Sequence, residues 1–427
     1  MLEPVAATLA FVADAASGEP EGRSAILDVL SYDLLIDLTA GGDTFWSRTT
    51  LRFRCRSPGA IVFADLQAAR LRRMVLNGAD LTSRGLHRDG RLELPRLGDE
   101  NILVVEAEFA YVPTGNGLSR AGDRYVYSNA NRGGAARIFC CFDQPDLRAP
   151  ITLSARAPAG WRCLANFPVA VRPAGGHAGG WRFDPTAPLA PYLFALCAWP
   201  DQQSLASVTT GQGQPMPMTI WAPAAAGQPR GADTLLDLAG RSLGYYRRAL
   251  GSPYPYPKCD LAFVPGLRPL AFSPPGLCVL QDRLLEPAAD RPVRYLACLM
   301  AHELAHAWFG GLVDMRHERD MWLQEALATY VSRTALEDIE PGSTPWAAET
   351  SESLPDDAYA KDAGLLRELE GLIGRPALLG GLSAVTARHR YGTVAVGDLT
   401  RAWSDTSGRD LSKWAAQRLV PAAEREA

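Results

Sequence analysis

Apolar and polar positions alternate with two different periods along the chain. In the first half they alternate by twos: Tyr32, Leu34, Ile36 and Leu38 recur at every second position, as on a half-buried strand. Leu51-Arg52-Phe53-Arg54-Cys55-Arg56 alternates apolar with basic residues, and Val105–Phe109 and Ile151–Ala155 repeat the rhythm. Turn-rich stretches such as Thr39-Ala40-Gly41-Gly42-Asp43 and Pro173–Gly180 separate these runs. Many short strands with no helical period between them predict an antiparallel saddle or sandwich over residues 25–205.

The second half changes to a period of three and four. Leu235, Leu238, Ser242, Tyr245 and Ala249 follow Asp233, a candidate N-cap, and Gly251 with Pro253 ends the run near Leu250. Asp290-Arg291-Pro292 opens a second helix, closed by Gly310-Gly311. It is apolar almost all round and is therefore expected to be buried. A third helix is predicted over Asp320–Leu336, and a fourth from near Tyr359 to just before Gly374. The expected class is α+β: an extension over residues 1–24, a β domain over 25–205 and an α/β domain over 206–427.

Composition narrows the function classes. The 427 residues suit two or three domains, and 47% apolar with 21% charged residues is an ordinary globular balance. A net charge of -4 argues against nucleic-acid and anionic-membrane binding. The eight cysteines form no C-x-x-C pair, so they read as small buried apolar residues and not as a disulfide framework or thiolate zinc site. The N-terminus carries Glu3, Asp14 and Glu19 with no basic flank, unlike a signal peptide. The most apolar window, Val293–Val313, holds His302, Glu303 and His306 at its centre, unlike a membrane span. A cytoplasmic location is expected.

Those three residues carry the candidate chemistry. His302-Glu303-Leu304-Ala305-His306 is an H-E-x-x-H on the buried helix. Residues four apart share a helix face with Cβ atoms about 5–6 Å apart, so both imidazoles can converge on one zinc ion. Burying two histidines and a glutamate without partners costs about 1–3 kcal/mol each, a penalty that a metal removes. Glu303 is placed to move a proton. A catalytic zinc needs a third protein ligand and an open fourth position, and Glu325 on the next helix would serve as the third.

His302–Val331 strongly resembles the zinc signature of the aminopeptidase N family of gluzincin metallopeptidases, peptidase family M1. Leu250–Asp260 resembles the segment that opens the family's catalytic domain, and Phe142–Ala149 a stretch of its N-terminal β domain. Ala358–Ala363 resembles the family's Tyr-Glu-Lys-Gly-Ala. The resemblance implies a β saddle followed by a thermolysin-like α/β zinc domain. It also implies one zinc held by His302, His306 and Glu325, Glu303 as general base and Tyr359 as the hydroxyl that stabilises the oxyanion. The large helical domain of long family members lies beyond the stretch that the resemblance covers.

The chain departs from the family where the substrate's amine is held. The Gly-Ala-Met-Glu-Asn loop aligns with Leu270-Ala271-Phe272-Ser273-Pro274, so Ser273 stands at the glutamate's position. The stretch resembling Tyr-Thr-Gln-Phe-Glu reads Tyr127-Ser128-Asn129-Ala130-Asn131, with Asn131 at the second acidic position. Ala271, Phe272, Ser273, Asn129 and Asn131 are thus the candidate substrate-binding residues, with Asp123 a possible acidic substitute and Arg268 a solvated cation. An ammonium that loses its carboxylates forfeits about 1.5–3 kcal/mol per charge-assisted hydrogen bond.

The first expectation is a zinc hydrolase that cleaves a peptide or amide bond, in a peptide or a small molecule, without selecting a free N-terminus. A zinc tailoring enzyme of specialised metabolism shares every ligand and stays open. So does a non-catalytic zinc-containing binding module.

Overall fold

Alternation in the first half becomes a large sheet. The computed structural model describes residues 20–113, 115–173, 179–200, 202–210, 216–223, 232–285, 293–340, 346 and 357–419. Strand Leu27–Asp37 pairs antiparallel with Thr44–Cys55, which pairs antiparallel with Glu100–Ala110. Along Thr44–Cys55, Phe45, Leu51 and Phe53 point into the core while Arg48, Arg52 and Arg54 face solvent. These strands sit within an eight-stranded sheet.

That sheet is not purely antiparallel, as the sequence pattern led us to expect. Ile151–Ala157 joins Leu27–Asp37 in parallel, in register from Tyr32 opposite Ile151 to Asp37 opposite Arg156. No hairpin turn links these two strands. Long intervening chain supplies the crossover that a parallel pair needs. A smaller four-stranded sheet, Arg162–Ala165, Leu196–Trp199, Tyr125–Asn129 and Gly117–Ala121, lies in the interior and carries Asn129.

A five-stranded mixed sheet follows. Gln202–Thr210 pairs antiparallel with Met216–Pro223, then Cys259–Val264 and Leu277–Gln281 add in parallel, and the short Ala271–Phe272 closes the edge. The boundary expected between residues 205 and 206 falls inside Gln202–Thr210, so the change of sheet comes before Gln202. Every residue of Cys259–Val264 and Leu277–Gln281 is buried, as expected of strands covered on both faces.

The helices are α1 (Pro20–Ile26), α2 (Ala232–Ala249), α3 (Val293–Ala305), α4 (Met321–Ile339), α5 (Asp357–Ile373), α6 (Arg375–Arg388), α7 (Val396–Ser407) and α8 (Ser412–Arg418). Apolar faces of α2, α3 and α4 meet in the core, and the Tyr246 hydroxyl of α2 donates to Ala301 O of α3 at 2.6 Å. Val313–Met315, just past α3, pairs with Gly392–Val394 between α6 and α7.

The two halves share a core. Tyr127, Leu164 and Trp199 of the four-stranded sheet pack with Val264, Leu277 and Val279 of the five-stranded one. All eight cysteines are free and seven are buried. No helix among the described residues is long and apolar enough to cross a membrane.

Candidate metal centre

α3 carries His302 and Glu303 in its last turn and ends at Ala305. The sequence pattern placed the end at Gly310-Gly311. The ladder first tightens, with the Ala307 and Trp308 amides donating to the Leu304 and Ala305 carbonyls at 3.2 and 3.0 Å, and then widens: the amides of Gly311, Leu312 and Val313 donate to the carbonyls of His306, Ala307 and Trp308, each at 2.9 Å. Five-residue spacing of this kind is a π-type turn, which occurs often at functional sites. Gly310 has φ +111°, and a Cβ there would lie 2.8 Å from Gln324 Nε2. Glycine thus lets the turn rest on α4 one residue before Glu325.

Three side chains converge beside this turn. His302 Nε2 lies 3.0 Å from His306 Nε2, 3.3 Å from Glu325 Oε2, and His306 Nε2 lies 3.4 Å from the same oxygen. Ligands about 2.0–2.1 Å from a tetrahedral zinc are separated by about 3.3–3.4 Å along each edge. The three atoms therefore outline one face of such a tetrahedron, and two imidazoles with one carboxylate suit zinc chemically. No other group of three histidine, cysteine, aspartate or glutamate side chains is arranged to hold a metal among the described residues.

Outer partners orient both rings. His306 Nδ1 lies 3.0 Å from Phe309 O. A carbonyl only accepts, so Nδ1 carries the hydrogen, which leaves the Nε2 lone pair for a metal ion. His302 Nδ1 meets Thr329 Oγ1 at 3.2 Å. Burial opposes a charge on His306, but the Glu325 carboxylate outweighs it and pushes the ring up to about 9. Burial alone would raise Glu325; the two imidazoles reverse this and hold it well below the usual carboxylate range. A metal would displace those protons.

Glu303 points to a different partner. The Ser273 hydroxyl donates to Glu303 Oε2 in a very short contact, and Ser273 Oγ lies 3.2 Å from Cys278 Sγ. The residue standing where the family has its glutamate thus touches the candidate base. Ala271 and Phe272 form the half-buried edge strand that leads into Ser273. Asn129 is buried, and its Oδ1 has no hydrogen-bond partner among the described residues. Asn131 is exposed, and its amide donates to Asn116 Oδ1 at 2.7 Å. Asp123 is exposed beside Arg120, and Arg268 is exposed. Tyr359 belongs to the first turn of α5, and its side chain lies outside the described residues.

Sequence reasoning missed Thr329, Phe309 and Cys278. Thr329 had a signal, since it stands four residues after Glu325 on the same helix face. A backbone carbonyl and a thiol brought in by another strand leave none.

Residues 235–356 match the peptidase family M1 domain. An aminopeptidase N of Streptomyces lividans is 32% identical over 95% of this chain and 51% of its own length. Aminopeptidase M1-B of Oryza sativa subsp. japonica is 25% identical over 92% of the chain and 50% of its own. An aminopeptidase N of Lactococcus lactis subsp. lactis is 26% identical over 78% and 44%. The chain spans about half the length of these relatives.

Proposed function

The chain is an aminopeptidase N-like member of peptidase family M1, and from that premise we propose that it is a single-zinc hydrolase of peptide or amide bonds that does not select a free N-terminal amine. The observation that carries the zinc reading is the trio of His302, His306 and Glu325, spaced as one face of a zinc tetrahedron. A zinc ion held there supplies Lewis acidity toward a carbonyl oxygen and lowers the pKa of water. Glu303, next in sequence to His302 and free of the trio, is the base: its carboxylate takes a proton from the attacking water and returns it to the leaving amine. The Ser273 hydroxyl donates to Oε2 of that carboxylate and so helps to orient it.

Tyr359 is proposed as the neutral donor to the oxyanion. Its place at the start of α5 supports this, since α5 packs on α4, where Tyr330 donates to Glu370 Oε2 at 2.9 Å. In this reading the strands of the first half form the family's β saddle, and the five-stranded sheet with its helices forms a thermolysin-like domain. Free, mostly buried cysteines suit a cytoplasmic setting.

Loss of amine selection rests on Ser273 and Asn131. Neither supplies a carboxylate, and the Ser273 hydroxyl is already engaged by Glu303. The test compares a free aminoacyl anilide with its N-acetyl counterpart on the zinc-loaded protein. Comparable kcat/KM values are expected. A hundredfold preference for the free amine would overturn this part of the proposal and leave zinc hydrolysis standing. In the same assay Glu303→Gln should keep its zinc and lose turnover about 10²–10⁴-fold. Equal rates for variant and wild type would end the enzyme reading.

A further inference from the structure

The turn that follows His306 is gripped from the other half of the chain. Arg148 belongs to the segment after Phe142 and its side chain is almost fully buried. Its Nη1 donates to Gly311 O at 2.6 Å, and its Nη2 donates to Gly310 O at 3.3 Å and faces Asp314 Oδ2 at 3.2 Å. Asp314 is buried as well and receives Arg132 Nη2 at 3.0 Å, the Met315 amide at 2.8 Å and the Tyr192 hydroxyl. Arg132, Arg148 and Tyr192 all come from the first half, and each ends on the stretch Gly310–Met315.

The position of this clasp gives it more than a packing role. Carbonyls of a buried turn lie outside any helical or strand ladder and need donors. Arg148 satisfies two consecutive ones with a rigid, planar fork, a geometry that a lysine cannot reproduce. The peptide so fixed begins at the residue after Phe309, whose carbonyl sets the ring of His306. It also lies against Gln324, next to Glu325. We propose that Arg148 is a positioning residue for the metal centre: it fixes the Gly310–Gly311 turn, and through it the Phe309 carbonyl that orients His306.

This inference rests on the reading that His302, His306 and Glu325 hold zinc, and its test separates the two. Zinc affinity is measured by competition with a chromogenic chelator on wild type, Arg148→Lys, Arg148→Met and Tyr32→Phe. The last removes a buried hydroxyl that accepts the Phe142 amide at 3.1 Å, away from the turn. Both Arg148 variants should bind zinc about 10–100-fold more weakly, as loss of an outer-shell partner does. Tyr32→Phe should melt at a lower temperature with unchanged zinc affinity.

In wild type, adding zinc should slow hydrogen exchange at the amides of residues 311–313, because zinc and the clasp then stabilise one turn. That measurement tests the coupling between zinc and the turn, and Arg148→Lys tests the role of Arg148 even if Arg148→Met does not fold. Failure of wild type to bind zinc would remove the metal reading itself. With zinc bound, either of two results overturns the role of Arg148: Arg148→Lys matching wild type, or exchange at residues 311–313 that ignores zinc. Equal weakening by Tyr32→Phe would also overturn it, because any loss of stability would then produce the effect.

Discussion

Asp143 is a buried carboxylate whose neighbours do not settle its charge. The amides of Ala135 and Ala136 donate to Oδ2 at 3.0 and 3.4 Å, while buried Oδ1 has no hydrogen-bond partner among the described residues. Burial, and then the Asp65 carboxylate, push its carboxyl up to about 7. The folded state therefore holds this proton more tightly than the unfolded chain, where the ordinary value is about 3.9. Between about pH 4 and 7 its contribution to stability falls as pH rises, with a slope of at most about 1.4 kcal/mol per pH unit. Asp143→Asn should therefore gain stability relative to wild type as pH is raised from 4 to 8, measured by urea unfolding of both proteins. A difference that does not change with pH would rule this out. At this scale the sequence displays His302 and His306, because helical spacing alone puts them on one face. It does not display the Ser273–Glu303 bond, because two residues thirty apart meet only when an edge strand is laid beside α3.

Among the elements, α3 and the turn after it decide where the second imidazole points. Gly310 is needed there for its φ of +111°, and a Cβ would also press on the Gln324 side-chain amide, 2.8 Å from Nε2. Gly310→Ala should cost about 1–3 kcal/mol of stability, seen in thermal melts, and should weaken zinc binding in chelator competition. Stability and zinc affinity both equal to wild type would show that the turn yields without strain. Helices α2, α4 and α5 run close to the expected spans because caps, stop residues and apolar faces are local signals. The end of α3 is not local. The turn that follows it is held at the Gly310 and Gly311 carbonyls by Arg148, more than 160 residues away. The parallel pairing of Leu27–Asp37 with Ile151–Ala157 was hidden for a similar reason, since alternation marks a strand without marking its partner's direction.

In the whole molecule, the first half grips the second at two places that flank the site. One is the Arg148 clasp. At the other, Asn166 donates to Leu193 O and Pro275 O, both at 2.9 Å, and accepts the Ala195 amide at 2.7 Å, anchoring the loop that carries Ser273. Asn166→Ala strands these groups and should cost about 1–3 kcal/mol. It should raise KM for the proposed substrate more than it lowers kcat, because the loop shifts while His302, His306 and Glu325 stay in place. Unfolding curves and steady-state kinetics check both parts, and a fall in kcat alone would count against it. By itself the sequence marked several of the strands, most helix spans, the candidate ligands His302, His306 and Glu325, and the serine and asparagine at positions where the resemblance implies carboxylates. Those follow from local periods, the H-E-x-x-H spacing and the resemblance of whole stretches to one family. Only the tertiary structure decided the sheet partners, the orientation of His306 and the engagement of Ser273 with Glu303. These depend on donors and acceptors distant in sequence, which come within hydrogen-bonding range only once the two halves pack on one core.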